Sequence, residues 1–317
     1  MNTKPVFVYK GEALANYNFG EKHPFGPLRH AAFHDALALS ELASEVTIMP
    51  PAKASVDQLA LFHTSDYINQ VSRASEDGKG YLDQGDTPAF IGVFEVASDI
   101  VGTTLAAIDA IMHEDAKRAF SPIGGLHHAR RDQAGGFCVF NDCGVAIHYL
   151  REAYNIKRIA YVDIDAHHGD GVFYDFEDDK DLLFADIHQD GATLYPGTGH
   201  SSETGIGSAL NTKLNLSLPP GAGDQEFNQL WHRVENYLID NEPEFIILQC
   251  GADSLAGDPI TQLELTEKSH GMAAESLCQI ADRFCNGRIL GLGGGGYNLH
   301  NISKAWTQVV KSFLMSQ

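Results

Sequence analysis

The tightest constraint on this chain comes from two runs, "RIAYVDID" (Arg158–Asp165) and "EFIILQCG" (Glu244–Gly251). Each is almost continuously apolar and then turns abruptly polar. An apolar run without alternation reads as a strand covered on both faces, which is the environment of a parallel sheet. Further β-type runs at Val6–Tyr9, Val46–Met49, Ala119–Pro122, Leu182–Asp186, Lys213–Leu218 and Arg288–Leu292 extend the set, with the first two strands placed at Arg158–Asp163 and Glu244–Cys250. Helix-length segments lie between them: Phe90–Met112, Asp224–Asp240 with Asp224 as a cap, Leu265–Arg283 and Asn301–Leu314. Strands alternating with helices imply an α/β fold with a single, mostly parallel sheet flanked by helices on both faces. No linker, charge block or internal repeat divides the chain, so residues 1–317 are read as one domain. In such sheets the binding crevice lies beyond the carboxyl ends of the strands.

The polar residues collect there. "RIAYVDID" runs into "AHHGDG", placing Asp163, Asp165, His167, His168 and Asp170 at one strand end. "FIILQC" runs into "GADSLAGD", with Asp253 and Asp258, and "GGLHHAR" brings His127 and His128 after a third strand. The last strand ends in "GGGGY", with Tyr297. Asp165 and His167 are two apart, so in extended chain both side chains face the same way. Together with Asp253 they offer three ligands and an open position, the pattern of a catalytic zinc; structural Cys₄ or Cys₂His₂ spacing is missing. Beside such a metal, one of the two tandem histidines reads as a general base, and alternatively both read as exposed loop residues. Asp163 and Asp170 are spare acids that could orient them.

Other motifs are set aside. Gly291–Gly296 fits G-x-G-x-x-G, but too little chain follows for a second strand with the required acid, so dinucleotide binding is rejected in favour of a flexible backbone that lets Tyr297 approach the site closely. No G-x-S-x-G elbow is present. Cys138 and Cys143 read as small buried apolar groups. Five cysteines without a CxxC pair suit a reduced, cytoplasmic protein. The segment Met1–Gly20 has no signal-like apolar stretch, and no run approaches the ~20 apolar residues of a membrane helix. Against 42 Asp+Glu stand 22 Lys+Arg, a net charge of −20; this argues against nucleic acid as a direct partner, favours cationic ligands, and leaves the oligomeric state open.

Taken in order, "NYNFGEKHPFGPLRH" (Asn16–His30), "GGLHHARRDQAGGFCVFND" (Gly124–Asp142), "YVDIDAHHGDGV" (Tyr161–Val172), "YPGTG" (Tyr195–Gly199), "QCGADSLAGDP" (Gln249–Pro259) and "GLGGGGYN" (Gly291–Asn298) make the chain resemble the zinc-dependent histone deacetylase superfamily, which includes acetoin-utilisation proteins and acetylpolyamine amidohydrolases. The resemblance implies the arginase-deacetylase fold and hydrolysis of an N-acetyl amide to an amine and acetate. It implies Asp165, His167 and Asp253 as ligands of Zn²⁺, with Fe²⁺ as the alternative metal. His128 paired with Asp170 matches the base and later acid. His127 paired with Asp163 matches the second histidine, and Tyr297 the donor to the substrate carbonyl.

The substrate positions it implies are Phe137 and Tyr195 as the walls of the acyl-lysine tunnel, with Gly136 beside them, Asp86 at the mouth and Arg29 in an inner channel linked with acetate exit. Tyr195 stands where Phe is more usual. A monovalent cation such as K⁺ is expected near Asp163, Asp165 and His167, with Asp186 in place of a common Ser. Ile260 falls where one polyamine-deacetylating branch carries an acidic gatekeeper, which together with "GGLHH" favours an acetyl-lysine-type amide over an acetylpolyamine. Glu12, Glu21 and Asp190 remain candidates for such an acid. A non-catalytic regulator that keeps the fold is the reading from another class, and a two-metal ureohydrolase is disfavoured because only one Asp/His/Asp set is present.

Overall fold

The computed structural model describes residues 5–315; Met1–Lys4, part of the expected domain and of the segment Met1–Gly20 read above for signal-like character, lie outside the described residues, as do 316–317. One sheet holds eight strands: β1 (Val6–Tyr9), β2 (Val46–Met49), β3 (Arg118–Ser121), β4 (Ile159–Asp163), β5 (Leu182–Gln189), β6 (Lys213–Leu218), β7 (Phe245–Gln249) and β8 (Ile289–Leu292), in the order β2-β1-β3-β8-β7-β4-β5-β6. Every pairing is parallel, so "mostly parallel" understates the sheet. The strand register brings Asp163 of β4 opposite Gln249 of β7 and Asp186 of β5.

The apolar runs are continuous because each face of the sheet has its own core. Along β4, Ile159 and Tyr161 enter one apolar cluster while Ala160 and Val162 enter the other, and along β7 Phe245 and Ile247 alternate with Ile246 and Leu248 in the same way. The helices that cover the two faces are α1 (Glu12–Ala15), α2 (Leu28–Leu39), α3 (Val56–Leu59), α4 (Ser65–Asp77), α5 (Val93–Met112), α6 (Asp142–Tyr154), α7 (Asp170–Asp175), α8 (Asp224–Asn241), α9 (Glu267–Phe284) and α10 (Leu299–Met315). The first core takes residues of α5 and α6, the second those of α2, α8, α9 and α10.

The longer helices α2, α4 and α6 and the short α1, α3 and α7 do not show in the sequence. The buried face of α2 is Arg29, His30, Phe33, His34 and Leu37, whose spacing is helical but whose letters are mostly polar, so hydrophobic periodicity cannot reveal it. Asp224 is not the cap of α8. Gly223 takes that place, with its N–H bound to Glu226, and the Asp224 carboxylate instead accepts from Thr266 and Ser269, joining the starts of α8 and α9.

The start of α6 holds the loop that carries the tandem histidines. The buried Asp142 carboxylate accepts the N–H groups of Gly125 and Leu126 and the Thr104 hydroxyl. Asn141 donates its side-chain amide to the carbonyls of His127 and Ala129 while its carbonyl oxygen caps the helix at Gly144. The Asn141 N–H is received by Nε2 of buried His63 at 2.9 Å, which requires His63 to be neutral at that nitrogen. Burial holds the His63 imidazole down to about 3, whereas an unfolded histidine titrates near ~6.5. The unfolded chain therefore binds the extra proton between these values, and the stability contributed by neutral His63 is full above the upper value and lost as pH falls toward the lower. We expect urea unfolding to show stability declining from pH 7 to pH ~4.5, with a shallower decline in His63→Gln; equal slopes would refute this assignment.

Candidate active site

Four strand ends meet at one pocket. Its lining includes His127, His128 and Gly136 from the segment after β3, Asp165 and His167 after β4, and Gly294, Gly295 and Tyr297 after β8. Asp253, in the turn after β7, lies beneath it, fully buried. Among the described residues, Asp165, His167 and Asp253 form a buried group whose ligating atoms all lie within 4.8 Å of one another.

This triad fits a cation by its donor set. His167 Nδ1 lies 3.0 Å from Asp165 Oδ1 and 3.1 Å from Asp253 Oδ2, so two carboxylates converge on one ring nitrogen that can carry only one hydrogen. Burial opposes charge on His167, yet hydrogen bonds to the two aspartates hold its pKa up to about 10. Burial and the adjacent Asp165 push Asp253 up to about 7. Negative charge thus exceeds what one imidazole can balance, the condition that favours a metal bound by two carboxylates and a histidine.

The tandem histidines are buried, not exposed. His127 Nδ1 donates to Asp163 Oδ2 at 2.7 Å, and His128 Nδ1 donates to Asp170 Oδ1 at 2.7 Å. Both expected pairs are therefore formed. Against the cost of burial, the Asp163 and Asp165 carboxylates raise His127 to about 9. Burial and the charge on His127 lower His128 to about 4. The two Nε2 atoms lie 3.2 Å apart, so a charged His127 can donate to the lone pair of a neutral His128. Identical side chains side by side are thereby given opposite protonation tendencies.

Tyr297 is carried by a glycine-rich backbone, but flexibility is not what the glycines supply. Gly295 donates its N–H to Asp165 Oδ2 at 2.8 Å, and a Cβ there would sit 2.1 Å from an Asp253 oxygen. At Gly294, where φ is +69°, a Cβ would meet the Gln249 amide at 2.4 Å. Only bare backbone can lie this close to the acidic triad. The loop is fixed from two sides. Asp258 accepts the Tyr297 N–H at 2.8 Å, and buried Arg29 donates to the carbonyls of Gly296 (2.7 Å) and Gly294 (2.6 Å). The Arg29 Nη1 is buried with no hydrogen-bond partner, and its guanidinium lies 3.8 Å over the Phe25 ring. Burial and the nearby Asp253 and Asp165 push the Tyr297 phenol well up, keeping it a hydrogen-bond donor.

The other expected site residues fall around this pocket. The Tyr195 ring stands edge-on to His128 at 5.0 Å, and the Phe137 ring edge-on to Tyr297 at 5.8 Å. Asp86 lies in a neighbouring groove of about 420 Å³ together with Asp83, Gln133 and Tyr195. Glu21 lines another groove with Arg29 and Tyr297; Glu12 and Asp190 line neither. Ile260 is half-buried, binds Asp258 through its N–H, and lies outside the pocket lining. His168 points its Nδ1 at Thr198 instead. Asp186 is taken up by the His188 Nδ1 (2.7 Å) and the Gly169 N–H (2.8 Å). Cys138 and Cys143 are buried free thiols, as expected.

Gln249 was not singled out by sequence reasoning. Its amide donates to Asp165 Oδ2 at 2.9 Å and to the Gly125 carbonyl at 3.2 Å, and its oxygen accepts the Gly251 N–H. A polar residue at the last position of an otherwise apolar buried strand was the available signal.

A histone deacetylase domain model matches residues 23–313. The acetoin utilization protein AcuC of Bacillus subtilis (strain 168) is 36% identical, covering 96% of this chain and 80% of the relative. Histone deacetylase clr6 of Schizosaccharomyces pombe is 32% identical over 96% of this chain and 75% of its own, and histone deacetylase 8 of Xenopus tropicalis 33% identical over 96% and 82%. Among solved structures, one described as the crystal structure of the HDA15 HD domain superposes with a TM-score of 0.91 at 27% identity, covering 98% of this chain and 88% of that one. The strand-end pocket, the all-parallel sheet and these similarities agree that the chain belongs to the histone deacetylase family.

Proposed function

We propose that the strand-end pocket is where this deacetylase hydrolyses acetyl-lysine-type amides, as one catalytic domain over residues 1–317. The observation that carries this reading is the pairing of a cation-demanding Asp165–His167–Asp253 triad with two adjacent histidines of opposite charge preference. Asp165, His167 and Asp253 would hold Zn²⁺, or Fe²⁺ in its place, which supplies Lewis acidity toward a carbonyl oxygen and acidifies water.

The chain's own groups do the rest. His128, neutral at Nε2 and oriented by Asp170, takes a proton from the attacking water. The water oxygen forms a bond to the acetyl carbon, and the Tyr297 hydroxyl donates to the carbonyl oxygen as negative charge develops there. The C–N bond then breaks as His128 returns its proton to the amine nitrogen, giving acetate and a free amine. His127, held charged by Asp163, steadies the site electrostatically. Phe137, Tyr195 and Gly136 border the path of the acyl-bearing side chain, Asp86 serves the substrate at the mouth, and Arg29 backs the Tyr297 loop with its Nη1 left for the acetate. Ile260 leaves its position without the acid a polyamine would use. The carboxylate oxygens of Asp163 and Asp186 already face protein donors, so K⁺ enters this reading only as an ion to be varied in the assay.

The acidic surface suits a cationic substrate and not a nucleic acid. The five buried free thiols suit a reducing, cytoplasmic setting, and among the described residues no helix is long and apolar enough to cross a membrane.

Purified protein supplied with Zn²⁺ should release acetate from an acetyl-lysine peptide; no turnover there, with turnover of acetylspermidine, would move the substrate to polyamines. His128→Ala should lower kcat/KM by about 10²–10⁴, and Tyr297→Phe by about 10²–10³; full activity in either variant would refute its role. Chelation should abolish turnover and either metal restore it, with elemental analysis giving one divalent ion per chain. Two per chain would instead favour ureohydrolase-type chemistry.

A further inference from the structure

Phe137 stands at φ +67°, in the left-handed region that a residue with a Cβ avoids. Two buried hydroxyls grip its peptide groups. Thr87 Oγ1 accepts the Phe137 N–H at 3.1 Å, and the Tyr17 hydroxyl donates to the Phe137 carbonyl at 2.7 Å while accepting the Val139 N–H at 3.0 Å. Thr87 and Tyr17 are both essentially inaccessible to solvent. Neither lines the pocket described above.

Thr87 also faces the rim. Its hydroxyl hydrogen is directed at Asp86 Oδ1, 3.3 Å away. The turn that contains both is locked by Asp83, whose Oδ1 accepts the N–H groups of Gly85 (2.9 Å), Asp86 (3.1 Å) and Thr87 (2.9 Å). From the other side, His23 Nε2 meets the Asp86 carbonyl at 3.1 Å, and the His23 ring packs edge-on against Phe137 with centroids 4.5 Å apart. A hydroxyl has one hydrogen to give and lone pairs to receive. Thr87 spends the first on the rim acid and one of the second on the strained wall residue. Valine has the same shape but can do neither, and would leave the Phe137 N–H without its partner.

We propose that Thr87 is a positioning residue for substrate binding, tying the Asp86 rim to the Phe137 wall so that the mouth of the pocket is shaped before substrate arrives. This rests on the reading of Phe137 and Asp86 as substrate-facing groups. A preformed wall lowers the ordering cost of binding, so its loss appears in KM while the chemical step, which Thr87 does not touch, is spared.

The test uses the metal-loaded enzyme with an acetyl-lysine peptide. Thr87→Val should raise KM about tenfold and change kcat by no more than about twofold, and Thr87→Ser, which keeps the hydroxyl, should restore KM. Amide hydrogen exchange should quicken at Phe137 in Thr87→Val alone. Glycine tolerates φ +67° without strain, so in a Phe137→Gly background the Thr87→Val effect on KM should shrink to about twofold or less. An unchanged KM with unchanged exchange in Thr87→Val overturns the proposal, as does a full-sized KM effect in the Phe137→Gly background. Quickened exchange with unchanged KM shows that Thr87 holds the Phe137 peptide but overturns its proposed role in substrate binding. If Thr87→Val does not fold, slower exchange at Phe137 in wild type and Thr87→Ser than in Thr87→Ala supports the clamp, and equal exchange overturns it. A wild type inactive on the peptide refutes the function reading alone, because the exchange measurement still decides the clamp.

Discussion

The rest of the structure is arranged around a concentration of buried negative charge. Asp163, Asp165 and Asp253 are withdrawn from solvent at the carboxyl ends of two adjacent strands, β4 and β7. Unpaired carboxylates in that setting would cost several kcal/mol each. The fold answers with backbone N–H groups from Asp165, Ala166, His167 and Gly295, the Gln249 amide, the Tyr161 hydroxyl and two imidazoles. What these donors leave unbalanced is the charge that makes the triad fit a divalent cation. The same excess divides the labour between His127 and His128. The carboxylate field charges the first, and the first then discourages charge on the second.

Rigidity follows from the same requirement. Each catalytic candidate is held by something that is itself buried and hydrogen-bonded. Asn141 and Asp142 bracket the histidine loop, and His63 secures Asn141. Arg29 and Asp258 fix the backbone before and at Tyr297. Thr87 and Tyr17 hold the strained Phe137 peptide. Apart from Arg29, which is also proposed to meet the acetate, none of these supports needs to touch a substrate, yet each determines where a substrate-facing atom sits, in line with the general need for a preorganised site on rigid elements.

Much of this was legible in the sequence. Apolar runs ending in Asp and His disclosed both the buried sheet and the rim where its chemistry gathers; Asp165 and His167 do converge, but in a bend beyond β4, where the His167 N–H returns to Asp165, and not in the extended chain their i, i+2 spacing was read on. The ordered motifs then carried the family. Less legible were α2, whose buried face is made of Arg and His, and the cap of α8, where Asp224 was recruited by α9 instead. Gln249 escaped notice because a single polar letter at a strand end has many ordinary explanations. The glycine run was read as freedom for Tyr297, whereas it is close packing: there is no room for a Cβ against Asp165, Asp253 and Gln249.

The sequence by itself determined the sheet, the sequence order of the polar clusters and the chemical identity of the groups at the strand ends, because periodicity and residue type are local properties that survive without coordinates. Only the tertiary structure decided that two neighbouring histidines differ in charge and that Thr87, distant in sequence from Phe137, grips it. Those outcomes depend on burial and on distances of a few ångströms between segments 36 to 50 residues apart, and the energy of a charge or a hydrogen bond is set by such distances and by the exclusion of water, neither of which is written in any one stretch of chain.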